Sequence, residues 1–272
     1  SAPLDVDALD ALAGPAAFRA AVAPVYLRSN AEDVLLELPP LVQVDQWCAF
    51  ADADAAAYRD AVQLGNFSGM RRAGFASADP ERSAKVERLL DLVAEARRDG
   101  RRVVVFSYFL SVLATAVEAL RRSGVCPGVL GPLTGSTPPA DRQRLADALA
   151  DPAGPGVLVA QIQAGGLGLN LQAASVAILC EPQLTPTAEA QAVARLHRMG
   201  QLSSVQVHRL LLDDSVDERL LEVLDAKGAL FDAFARDSVL AEASPAAVDV
   251  SEVVLARRLI AAEQARLQLP LR

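Results

Sequence analysis

Lysine is nearly missing from this 272-residue chain: of its 26 basic residues only Lys85 and Lys227 are lysines, and the rest are arginines. GC-rich coding produces the same bias, so it excludes no function by itself. Aromatic residues make up only 4% while apolar residues reach 52%, so the core must be built from Leu, Val and Ala. That apolar share, beside 22% charged residues, excludes a disordered tail. Cys48, Cys126 and Cys180 are too few and too far apart for a disulfide framework, and with only His197 and His208 no Cys/His cluster has metal-ligand spacing. Zinc chemistry is excluded, and the cysteines read as small core hydrophobes in a reducing compartment. No apolar run approaches the roughly 18 residues a spanning helix needs, and no basic region leads into an apolar stretch near Ser1. A soluble, cytoplasmic protein without a membrane partner is expected.

Net charge is −8, but it is unevenly placed. Residues 1–60 carry 3 basic and 10 acidic groups, and residues 213–272 carry 7 and 12. The middle, 61–212, carries 16 and 12, so an anionic ligand is expected there.

From Asp79 onward two periodicities alternate. Asp79-Pro80 reads as a cap and first turn of a helix reaching Gly100, with Val86, Leu89, Leu90, Val93 and Ala96 on one face. Val103 to Phe106 is apolar on both faces, as a buried parallel strand requires. A helix from Phe109 to Gly124 follows, then a weaker strand from Val125 to Leu130 that starts late or lies near an edge because of Pro127. A helix from Thr137-Pro138 leads to strands at Gly156–Ala160, Val176–Leu179 and Val205–Leu211. A helix from Thr185-Pro186 to about Met199 lies between the last two, and Ser215 to Glu218 caps a helix running to about Leu230. This alternation predicts an α/β fold: a mostly parallel sheet of about five strands with helices on both faces, plus mainly helical N- and C-terminal extensions. Residues 1–26 and 52–64 read as helical, Leu35 to Cys48 as extended, and Gly65 to Pro80 as a mobile loop. The tail from Pro245 reads as a helix packing through Val253, Val254, Leu259 and Ile260.

Ligands of open parallel sheets collect at the strands' carboxyl ends. The loop after Ala160 holds Gly165, Gly166 and Gly168, which permit close approach to a phosphate or ribose, or simply a tight turn. A dinucleotide fingerprint fails, because Leu171 stands where its third glycine belongs. On a helix Gln191, Arg195 and Arg198 share one face, either aimed at a polyphosphate or solvated, with Arg195 paired to Glu189 or Gln191. Leu133 to Thr137, followed by Arg142 and Arg144, offers hydroxyls and amides for a phosphate or for a local cap.

In their order and spacing, Phe106-Ser107, Leu133 to Arg142, Ala164 to Leu171 and Gln191 to Gln201 resemble the motifs of the second RecA-like lobe of Swi/Snf-family DNA translocases. Val25 to Arg28 and Leu38-Pro39-Pro40 resemble the joining segment before it. The resemblance divides the chain into an inter-lobe linker and helical extension (1–78), the lobe itself (79–236) and a C-terminal helical extension (237–272). It implies an ATP- and magnesium-dependent motor on double-stranded DNA. Arg198 then takes the arginine-finger place, Arg195 the companion phosphate contact, and Gly166, Gly168, Asn170 and Gln191 the nucleotide-facing positions. Ser107, Thr134, Gly135 and Gln161 take the DNA-backbone positions.

The G-x-x-x-x-G-K-[ST] loop and D-E-x-H carboxylate of a first lobe do not occur in these residues, so ATP and magnesium would be held mainly by that partner lobe. Alone, this chain is expected to be inactive. Three departures from the family pattern stand out: Gln161-Ile162 replaces a hydroxyl pair, Leu184-Thr185-Pro186 replaces W-N-P, and Arg28-Ser29 replaces a double arginine. The alternative is a degenerate lobe that scaffolds a DNA-bound partner such as RNA polymerase through its acidic flanks.

Overall fold

A computed structural model describes residues 38–165, 169–223 and 252–268. The helix expected over 1–26, the end of the one expected to reach Leu230, and Gly166 and Gly168 lie outside them.

The described strands form one parallel six-stranded sheet, ordered β1-β6-β5-β2-β4-β3. They are β1 (Leu41–Cys48), β2 (Val103–Ser107), β3 (Leu130–Leu133), β4 (Val157–Gln161), β5 (Val176–Leu179) and β6 (Val205–Leu212). The four central strands fall where hydrophobic runs place them, and β3 starts late, at the sheet's edge. The sixth strand is the segment expected only to be extended: β1 pairs along its length with β6. Because it forms the other edge, Leu41, Val42, Val44 and Trp47 stay exposed and give no buried-strand signal.

Helices α1 (Asp52–Gln63), α2 (Phe67–Arg72), α3 (Ala84–Arg98), α4 (Leu110–Ser123), α5 (Pro139–Ala150), the short α6 (Ile162–Gly165), α7 (Pro186–Val193), α8 (216–223 as described) and α9 (Glu252–Arg266) surround the sheet. Alternation along β2 decides their placement. Val103 and Val105 pack with Leu89, Val93 of α3 and Leu113, Ala116 of α4, while Val104 and Phe106 pack with Leu149, Leu171 and Leu196 on the opposite face. Among the described residues no helix is long and apolar enough to cross a membrane.

Four local expectations need correction. The stretch from Gly65 to Pro80 is not a free loop: Asn66 caps α2 by accepting from the Gly69 amide at 2.9 Å, two 3₁₀ turns follow, and Met70, Ala73 and Phe75 are buried. Asp79 caps only the short turn Pro80–Arg82. The helix proper begins at Ala84, whose amide donates to Asp54 of α1 at 2.7 Å, so its cap comes from another helix. In α9, Leu259 is buried but Val253 and Val254 are exposed, and Leu255 takes their place in the core. Finally, α7 ends at Val193 rather than near Met199.

Candidate functional site

The sequence-predicted site residues separate into two groups. At the carboxyl edge, neighbouring β2, β4 and β3 end at Ser107, Gln161 and Leu133. Half-buried Gln161 links their loops: its Oε1 accepts from the Gly135 amide at 3.3 Å, and its Nε2 donates to the Tyr108 carbonyl at 3.2 Å. Gly135 is exposed. Thr134 is half-buried and belongs to a local turn in which its amide donates to Thr137 Oγ1 at 2.9 Å and its hydroxyl meets Ser136. Arg142 braces the turn through the carbonyls of Thr137 and Gly135.

Ser107 does not fit the role of a direct DNA contact. It is fully buried, and its hydroxyl donates to Glu181 Oε2 at 2.8 Å. Glu181 also accepts from the Tyr108 amide at 2.6 Å and from Gln183 Nε2 at 3.1 Å. Ser107 therefore fixes the loop that carries Tyr108, and the groups left accessible at this edge are the Gly135 amide, Thr134 and Tyr108. Burial pushes the Glu181 carboxyl above the ordinary range, opposed by the Tyr108 amide, Arg71, Ser107 and Gln183.

The second group lies at the other end of the strands. Because α7 stops at Val193, Arg195 and Arg198 sit in the turn that follows it, not on one helix face, and only Gln191 is helical. The turn is fastened near the strands' amino ends, which corrects the expectation of a shared carboxyl edge. The Leu171 amide donates to the Arg195 carbonyl at 3.1 Å. Buried Gln201 donates from Nε2 to the carbonyls of Gln172, Ala174 and Leu196, and His197 Nε2 meets the Pro39 carbonyl at 2.7 Å. Ala174 lies just before Ser175 and the start of β5, and Pro39 just before Pro40 and the start of β1.

Exposed Asn170 completes the contact, since its Oδ1 accepts from the Gln172 amide while Gln172 Nε2 reaches the Met199 and Arg198 carbonyls. Arg198 and Gln191 are exposed, and Arg198 forms no ion pair among the described residues. Arg195 is half-buried. Glu189, one sequence-level partner for Arg195, is bonded to Arg209 at 2.9 Å and to the Gln183 amide.

The glycine-containing connection joins the two groups. Its first described part, α6, follows Gln161 directly at the carboxyl edge, and its last, Leu171 and Gln172, meets the arginine turn. Sequence reasoning missed three residues that shape these ends. Glu181, an acid just past Cys180 at the end of a buried strand, is a legible signal; Gln201 lay inside a quoted motif without a role; Arg71 carried no periodic signal at all.

A parallel six-stranded sheet of this order, flanked by helices, is RecA-like, and the comparisons agree. Residues 84–200 match the family described as helicase conserved C-terminal domain. Relatives named for SWI/SNF-type proteins align with about half of the chain. It is 36% identical over 147 residues to "DNA repair protein RAD5" of Gibberella zeae, covering 53% of this chain and 12% of that protein. To the mouse (Mus musculus) "SWI/SNF-related matrix-associated actin-dependent regulator of chromatin subfamily A member 1" it is 34% identical over 146 residues, covering 53% and 14%. The match thus spans about an eighth of each relative's length.

Among solved structures, "the C-terminal part of Fun30 ATPase domain" aligns with a TM-score of 0.62 at 19% identity, over 69% of this chain and 90% of that one. The "Sulfolobus solfataricus SWI2/SNF2 ATPase core in complex with dsDNA" aligns with a TM-score of 0.59 at 19% identity, over 88% and 55%. These likenesses carry the fold.

Proposed function

We propose that this chain is the second motor lobe of an ATP-dependent translocase on double-stranded DNA. In this reading Arg198 supplies the arginine finger, Arg195 a companion phosphate contact, and the Thr134–Gly135 turn with Gln161 the contact to the DNA backbone. The observation that carries it is that one short stretch of chain has Gln161 at the carboxyl edge at its start and Leu171, bonded to the Arg195 carbonyl, at its end. A displacement of one end pulls on the other, as coupling of hydrolysis to DNA movement requires.

ATP supplies the phosphoryl group whose transition-state charge spreads over several oxygens, and magnesium and the phosphate loop belong to the first lobe in this scheme. Arg198, exposed and in no ion pair with a described residue, on a turn pinned by Gln201 fits that demand: its backbone is held while its fork reaches solvent. Asn170, Gln191, Gly166 and Gly168 serve the nucleotide side. Among the described residues no group of three His, Cys, Asp or Glu side chains can hold a metal ion.

Two expected outcomes test the division of labour. The isolated chain should turn over no ATP above background, with or without DNA, because a finger has nothing positioned to act upon. Sustained DNA-dependent turnover by the purified 272-residue chain would contradict it. The same chain should bind duplex weakly and without sequence preference, with log K falling by roughly 0.9 per phosphate contact per log unit of salt. Fluorescence anisotropy at two salt concentrations reads this, and tight binding that survives high salt would overturn the backbone-tracking role.

A further inference from the structure

Strand order locates a second place where this sheet should bind a ligand. From β2 the chain moves outward to β3 and back to β4, then crosses to β5 and β6 on the other side of β2. The ends of β2 and β5 are therefore the topological switch point. The following helices leave on opposite faces there, α4 toward Val105 and Ile178 and α7 toward Val104 and Ala177. In open α/β sheets such a crevice is the usual ligand site.

Here the crevice is a cavity of about 530 Å³, a common size for a small-molecule site, closed on one side by the first turns of α9. Its floor carries a cation. Arg71, only 5% exposed, lines it, donates from one terminal nitrogen to the Pro182 carbonyl at 2.8 Å, and forms no ion pair with a described residue. Its buried Nε has no hydrogen-bond partner among the described residues. The guanidinium stands over the rings of Phe109 at 5.0 Å and Tyr108 at 6.0 Å, and the buried Glu181 carboxyl is the main opposing charge. Arg257 adds a second guanidinium at the rim, Gln163 and Gln183 add amides, and the exposed Tyr108 ring offers a stacking face. Glu252 is the carboxylate on the lining, and Glu181 lies buried behind Arg71 with its carboxyl pushed above the ordinary range by burial.

We infer that this crevice binds a nucleotide unit, its phosphate toward Arg71 and Arg257 and its base against Tyr108. The site is separate from the arginine turn, which is fastened at the opposite end of β5, and it does not depend on the two-lobe reading. Phosphate with an attached planar ring is what paired guanidiniums beside an exposed aromatic select. A free mononucleotide and a nucleotide of a single strand share that chemistry.

Calorimetric titration of the 272-residue chain tests the assignment with adenosine monophosphate, adenosine, inorganic phosphate and a thymidine tetranucleotide. Adenosine monophosphate should bind saturably and more tightly than adenosine or phosphate. Arg257→Ala and Tyr108→Ala, both at exposed positions, should each weaken it by about tenfold, since each removes one of the groups that grip it. Arg71→Gln should abolish it with the far-UV spectrum retained, and if that variant fails to fold the two exposed substitutions decide. Competition by the tetranucleotide assigns the site to a strand, and its failure to compete assigns it to a free nucleotide. No saturable binding by any probe, equal affinity for phosphate alone, or binding unchanged in both exposed variants overturns the inference. So does loss of binding in Arg198→Ala, which would place the ligand on the arginine turn.

Discussion

Arg198→Ala, introduced into the lobe together with its first-lobe partner, should lower DNA-stimulated ATP hydrolysis by about 10³-fold or more, with DNA affinity nearly unchanged. The two effects separate because the arginine turn is fastened near the amino ends of β5 and β1, while Gly135, Thr134 and Gln161 occupy the carboxyl edge. A group that meets charge mainly in the transition state changes turnover, not the grip on the strand. Arg198→Lys should restore little, because an ammonium cannot reproduce a planar fork. Steady-state hydrolysis and duplex binding, measured on the same preparations, check both halves. Equal losses of affinity and turnover would mean that Arg198 touches DNA instead.

The largest effect on stability should come from Asp217→Ala. Lys85 of α3 and Asp217 of α8 form a buried pair at 2.7 Å, with side chains 1% and 2% exposed. Asp217 also accepts from the Leu212 amide at the end of β6, and Lys85 lies 3.4 Å from the Cys180 carbonyl just beyond β5. Removing the carboxylate strands an ammonium without water or counter-charge, which costs about 3–5 kcal/mol. Replacing both partners, Lys85→Met with Asp217→Leu, should recover most of that loss, because the desolvation penalty of the pair disappears with it. Urea denaturation of the three variants measures this. A midpoint for Asp217→Ala close to that of the unsubstituted chain would show that Lys85 finds water or another partner.

How much of this was readable beforehand depended on whether a residue's environment is set by its neighbours in sequence. Val103 to Phe106, Val157 to Ala160 and Val176 to Leu179 are apolar on both faces because helices cover both sides, so their pattern announces a buried parallel strand. The edge strand β1 leaves Leu41, Val42, Val44 and Trp47 exposed, and the same rule says nothing about it. Helix α3 was legible from its apolar stripe, but its start was not, since Asp54 caps it from thirty residues away. Gly74 read as loop punctuation. Its real constraint is that a Cβ there would stand 2.6 Å from the stem of buried Lys85, a contact only the fold creates.

The site followed the same division. Motif spacing named Arg195, Arg198, Asn170 and Gln161, yet the helix assumed for the arginines ends at Val193, where the chain turns to dock on Leu171 and Gln172. A helical spacing rule cannot see that docking. Ser107 was read as a surface hydroxyl because its motif position implied one, and only the buried Glu181 beneath it reveals why it faces inward. Arg71 escaped notice because a single arginine in an amphipathic stretch is ordinarily a solvated one.

The central claim is that this lobe couples ATP hydrolysis to movement along duplex DNA. It is tested most directly by measuring ATP turnover, with the first lobe present, as the duplex is lengthened at constant nucleotide concentration. A translocating motor runs farther before it leaves a longer duplex, so turnover should be low without DNA, rise with duplex length and then level off. Turnover that is indifferent to duplex DNA, or that is stimulated equally by every length long enough to bind, would contradict the account.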